Sequence, residues 1–169
     1  NNPHLKPLAL FLSSPYYIIK KILEKKKYDN VIIMGISGGG WYSVIMSAII
    51  PQIDYTFSFN GTLPLFYRLE TDSKGDFEMQ FSSIWKLYDY YMFYFLGLFD
   101  ENAKLSRFGN HIFSEYDECC FSSPEVDFFE QSIILSGIPN IKTKIFRNKY
   151  EHDIDQLWII DELQNIVSQ

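Results

Sequence analysis

Ser37 is the residue whose type and surroundings could do chemistry. It sits in Gly35-Ile36-Ser37-Gly38-Gly39-Gly40, a glycine-rich turn with the spacing G-x-S-x-G. Before the turn runs Val31-Ile32-Ile33-Met34, an apolar, β-branched stretch opened by Asp29-Asn30, which reads as a buried strand. After it runs the apolar stretch Trp41 to Ile50, a helix that Pro51 terminates. Strand, sharp turn, helix is the setting in which a serine hydroxyl is lifted out of a fold and presented as a nucleophile. Gly35 and Gly39 are expected to be small because strand and helix backbones crowd there. The N–H of Gly38, at the helix start, is expected to face the reacting carbonyl oxygen. Glycine and serine are also ordinary turn material. The lack of a following Lys-Ser or Lys-Thr argues against a phosphate loop.

A serine nucleophile needs a base and a group to orient it. The chain has three histidines. His4 lies in a proline-rich entry loop before the serine, and His111 lies inside an expected strand, Arg107 to Ser114. His152 falls in the loop after the strand Ile141 to Phe146. In the α/β-hydrolase arrangement, which this strand–turn–helix resembles, the partners follow in the order serine, acid, histidine, each after a strand. Only His152 meets that order. The acid then falls in Glu115-Tyr116-Asp117-Glu118; Asp117 is the first choice, with Glu115 and Glu118 as alternates. A turn aspartate capping a strand end is the plain alternative. Cys119 and Cys120 read as buried small apolar residues rather than metal ligands, since no other cysteine completes a site. No metal site and no cofactor are expected.

The remaining elements follow from patterning. Ser13-Ser14-Pro15 signals a helix start, with the helix running to about Lys27 and its last turn at Lys25-Lys26-Lys27. Tyr55 to Phe59 alternates as a strand and ends at Asn60-Gly61-Thr62, a weak match to a glycosylation acceptor. Pro124 to Leu135 and Asp155 to Val167 read as helices. Residues 62–106 form a long connection whose second part, Ile84 to Phe99, is strongly aromatic. The uncharged run Tyr90 to Phe99 is too short for a membrane span. A helix over an apolar pocket and ordinary core packing are both open for it. Trp41, Tyr91 and Phe95 are the candidate substrate-contacting side chains.

At 169 residues with 47% hydrophobic residues, the chain is one globular domain in length. A net charge of −6 argues against a nucleic-acid partner. Two adjacent cysteines make no disulfide framework.

The segments GISGGGW, NGTLPLFYR and YDECCF, followed by a late histidine, resemble the α/β-hydrolase superfamily, more narrowly an uncharacterised esterase-like branch. The resemblance spans nearly the whole chain. It implies an α/β fold with a mostly parallel sheet, helices on both faces, and a cap-like helical insertion at 62–106 within a single domain, 1–169. It implies that Ser37, Asp117 and His152 match the family's nucleophile, acid and base, acting on a small ester or acyl substrate through an acyl-enzyme. A non-catalytic binding module on the same scaffold is the alternative. A patatin-like Ser–Asp dyad ranks below both, because its Asp-Gly-Gly or Asp-Gly-Ala motif is absent. Four strands correspond to the C-terminal half of the family's sheet. A fragment of a longer protein and a trimmed fold are both open; on the favoured first reading, upstream sequence is expected to complete the sheet beside Val31–Met34 and to supply a second oxyanion donor. Residues 1–169 alone are expected to be poorly soluble and inactive.

Overall fold

The computed structural model describes residues 7–68 and 89–168. Four strands form one all-parallel sheet in the order of the chain. They are β1 (Ile32–Ile36), β2 (Tyr55–Phe59), β3 (Phe108–Ser114) and β4 (Ile141–Phe146). The helices are α1 (Pro7–Leu23), α2 (Gly38–Ile49), α3 (Tyr90–Leu96), α4 (Glu125–Ser136) and α5 (Gln156–Val167), with a short 3-10 turn at Leu65–Tyr67. This is an α/β fold with helices on both faces of a parallel sheet. No helix among the described residues is long and apolar enough to cross a membrane.

Strand periodicity decides which face each residue serves. Phe57, Phe59 and Ile112 point to one face, where Ile159 and Ile166 of α5 cover them. Ile33, Phe113, Ile141 and Ile145 point to the other, onto a larger core with Trp41, Val44, Ile45, Met46, Tyr90, Tyr94 and Phe129. β1 is an edge strand, hydrogen-bonded to β2 and to no other strand among the described residues. Met34 on it stays 40% exposed.

Arg107 locks the larger core together. It is 1% exposed and donates to the carbonyl oxygens of Ile53 and Phe99 (2.8 Å for Phe99) and of Ser47 and Ile50 (2.6 and 3.2 Å). A cation is well placed there, because the last carbonyls of α2 lie at the negative end of its dipole. Burial pulls its pKa down to about 10.

The first helix differs from the expectation. It begins at Pro7, not at a Ser13 cap, and Pro15 lies inside it. A proline cannot donate to the carbonyl four residues back. That carbonyl, Phe11's, is satisfied instead by the Tyr42 hydroxyl at 3.1 Å, and the Phe11 ring packs 5.2 Å from the Tyr42 ring. The basic residues of its last turn are Lys20 and Lys21, and Lys25 to Lys27 follow the helix. The Asn60-Gly61-Thr62 acceptor match is also overturned. Asn60 is 2% exposed, and its side-chain oxygen accepts from the Ser114 N–H at 3.1 Å, so the amide is built into the sheet edge.

Candidate active site

All four strands are parallel, so the loops that follow them share one edge of the sheet. Ser37 follows β1, Asp117 follows β3 and His152 follows β4. A run of hydrogen bonds ties these loops together. The Ser37 N–H donates to the Phe59 carbonyl at 2.9 Å, and the Asn60 N–H donates to the Ile112 carbonyl at 2.8 Å. The Ser114 hydroxyl donates to the Glu151 carbonyl at 2.8 Å, immediately before His152.

Ser37 has φ 55° and ψ −124°, a left-handed conformation that costs a non-glycine residue about 1–3 kcal/mol. It stands at the N-cap of α2, a position where serine usually bonds back to the helix. Its side chain makes no such capping bond, so the hydroxyl is not spent on the helix. Gly38 opens α2, where N–H groups lack partners within the helix.

The glycines divide differently from the expectation. A Cβ on Gly35 would lie 2.3 Å from the backbone carbonyl carbon and oxygen of Gly39, so glycine is required there. A Cβ on Gly39 would meet nothing within 4 Å. The second crowded position is Gly40, whose Cβ would lie 2.9 Å from the Gly61 Cα and 3.0 Å from the carbonyl oxygens of Gly35 and Phe59. Gly61 is crowded in return, with the Gly40 carbonyl carbon at 2.4 Å. The start of α2 thus lies directly against the turn after β2, a contact the sequence reading missed.

Asp117 and His152 meet. The Asp117 side chain is fully buried, with one oxygen 2.7 Å from His152 Nδ1. Its other oxygen accepts from the N–H groups of Cys119 and Cys120, at 2.7 and 3.1 Å. A carboxylate so placed holds the imidazole with its proton on Nδ1, leaving the lone pair on Nε2. Nε2 is buried and has no hydrogen-bond partner among the described residues, so the Ser37 hydroxyl is not bonded to it. The alternates are otherwise engaged or exposed. Glu115 accepts from the Asn148 N–H at 2.6 Å and pairs with Arg147 at 3.5 Å, and Glu118 is exposed. His111 is a core residue, 2% exposed, its ring 4.2 Å from that of Tyr94; burial lowers its pKa to about 3. His4 lies outside the described residues.

The candidate substrate contacts separate. Trp41 is 1% exposed and donates its ring N–H to the Tyr90 hydroxyl at 3.0 Å, which makes it core rather than a contact surface. Tyr91 is half-buried, its hydroxyl 2.5 Å from that of Ser132 and 3.3 Å from that of Tyr67; burial raises its pKa. Phe95 is 38% exposed. In the aromatic segment, Tyr90 and Tyr94 enter the core, at 0% and 4% exposure, because α3 lays that face on α2. Residues 84–88 of that segment, and 69–88 of the connection as a whole, lie outside the described residues.

No family model matches the chain, and no curated protein matches it. Among solved structures it is similar to acetyl xylan esterase 1 from Thermoanaerobacterium sp. JW/SL YS485. That match has a TM-score of 0.45 and 18% identity over 97% of this chain. The chain spans 58% of that protein's length.

Proposed function

We propose that the chain carries the catalytic centre of a serine hydrolase that cleaves an ester or similar acyl bond. The observation that supports it most is the His152 ring, held through Nδ1 by the buried Asp117 carboxylate with a buried, unused lone pair on Nε2. The strained Ser37, on the same edge of the sheet, is the nucleophile that such a base serves.

In this reading His152 Nε2 takes the hydroxyl proton as Ser37 Oγ attacks the substrate carbonyl. The tetrahedral oxyanion is met by the Gly38 N–H and by a second donor that completes the hole. The imidazolium, stabilised by Asp117, returns the proton to the leaving group, and an acyl-Ser37 ester remains. Water, deprotonated by the same Nε2, then releases the acid. Asp117 holds the tautomer throughout and does not itself move a proton.

Hydrolysis of 4-nitrophenyl acetate by the protein at its natural length tests the reading. Ser37→Ala and His152→Ala are each expected to lower kcat by about a thousandfold or more. Asp117→Asn is expected to do so with the fold intact, because an amide favours the wrong tautomer. A Ser37→Ala protein that keeps the wild-type rate would overturn the proposal.

A further inference from the structure

The turn that carries Asp117 also carries the two cysteines of the chain. They are not the buried apolar pair the sequence suggested: Cys119 is exposed and Cys120 is half-buried. Their sulfurs lie side by side. The third ligand missing from the sequence pattern is a histidine. The two sulfurs and a ring nitrogen of His152 all lie within 4.8 Å of one another.

We propose that Cys119, Cys120 and His152 form a binding site for a thiophilic divalent cation of the Zn2+ or Cd2+ type. Three observations converge on it. Ligand atoms about 2.1–2.3 Å from one tetrahedral ion stand roughly 3.5–3.8 Å from each other, so side-chain rotation at Cys119 and Cys120 seats all three. The chemistry is matched: two thiolates neutralise the dication, and thiolate with imidazole is the donor set such ions prefer. The Nε2 lone pair of His152 is buried without a partner, and its Nδ1 is already oriented by the Asp117 carboxylate, the arrangement found behind metal-bound imidazoles. Binding converts two thiols to thiolates and releases two protons to solvent, with no change in oxidation state. A fourth position is left for water. Bound through Nε2, the ring nitrogen that Asp117 does not hold, the ion takes the lone pair that the proposed hydrolase needs, so an occupied site is an inhibited one; this consequence rests on the hydrolase reading.

Titration of the reduced chain with Cd2+ tests the site apart from any activity. The expected result is a sulfur-to-cadmium charge-transfer absorption saturating at one ion per chain. Cys119→Ser, Cys120→Ser and the double variant should abolish it, each being checked for folding by circular dichroism. His152→Gln should keep the absorption but weaken binding by about tenfold or more. No absorption in the wild type, or affinity unchanged in His152→Gln, would overturn the proposal. Fluorophosphonate labelling of Ser37 with and without Cd2+ then reads the consequence. Loss of labelling on saturation supports it, and undiminished labelling at saturation refutes it. If Ser37 is not labelled even without metal, the hydrolase reading fails, while the site stands or falls on the absorption alone.

Discussion

Two adjacent glycines should respond to the same substitution with opposite signs. Gly39 is exposed in the first turn of α2, and a Cβ there meets nothing within 4 Å. Gly39→Ala therefore acts through backbone entropy and helix propensity, stabilising by about 0.5–1 kcal/mol. Gly40 is buried, and a Cβ there would press on three backbone atoms at 2.9–3.0 Å: Gly61 Cα, Gly35 O and Phe59 O. Backbone cannot swing aside as a side-chain tip does, so α2 must lift from the turn after β2. Overpacking of this kind costs about 1–3 kcal/mol, which exceeds the propensity gain. For a chain of this length, each kcal/mol moves Tm by about 2–4 °C. Thermal unfolding followed by circular dichroism should then place Gly40→Ala several degrees below the wild type and Gly39→Ala slightly above it. Gly35→Ala, with backbone atoms at 2.3 Å, should be the worst of the three. If Gly40→Ala unfolds at or above the temperature of Gly39→Ala, the close approach of Gly40 to Gly61 is refuted, and with it the account of how Ser37 is held.

Other consequences follow from the buried groups. His111 has a pKa lowered to about 3 by burial, against about 6.5 in an unfolded chain. The unfolded state therefore binds the extra proton between those values, and stability falls as pH drops from about 6.5 towards 3. The His111 contribution has a slope of up to about 1.4 kcal/mol per pH unit. Urea unfolding across that range should show a shallower slope in His111→Leu than in the wild type; an equal slope would contradict the burial argument. Arg107→Met should strand the buried carbonyls of Ser47 and Ile53 at about 1–3 kcal/mol each and weaken the support of those of Ile50 and Phe99. Loss of a cooperative unfolding transition is expected, and a Tm within a degree or two of the wild type would show that Arg107 is not the clamp.

Much of this architecture was legible because it rests on local patterning. One β-branched run, alternating patterns and bounding turns located the four strands, and a parallel sheet then sends every following loop to one edge. Chain order therefore placed the acid among Glu115, Asp117 and Glu118, and the contact with His152 singles out Asp117. What was not legible depends on partners distant in sequence. Pro15 reads as a helix start unless one knows that Tyr42 satisfies the Phe11 carbonyl. Gly40 reads as spare flexibility unless Gly61 is known to lie against it. Trp41 looked like a binding-site aromatic because nothing local shows the Tyr90 hydroxyl that receives its N–H. Cys119 and Cys120 lacked a third ligand only while His152 was far away in the chain.

The central claim is that Ser37 is a nucleophile activated by the Asp117-oriented His152. Covalent labelling by a fluorophosphonate, with the modified residue mapped by peptide mass spectrometry, tests it most directly. The account predicts one phosphonylated residue, Ser37, with labelling slowed by orders of magnitude in His152→Ala and absent in Ser37→Ala. A folded wild-type protein of natural length left unmodified at Ser37, or labelled equally fast without His152, would contradict it.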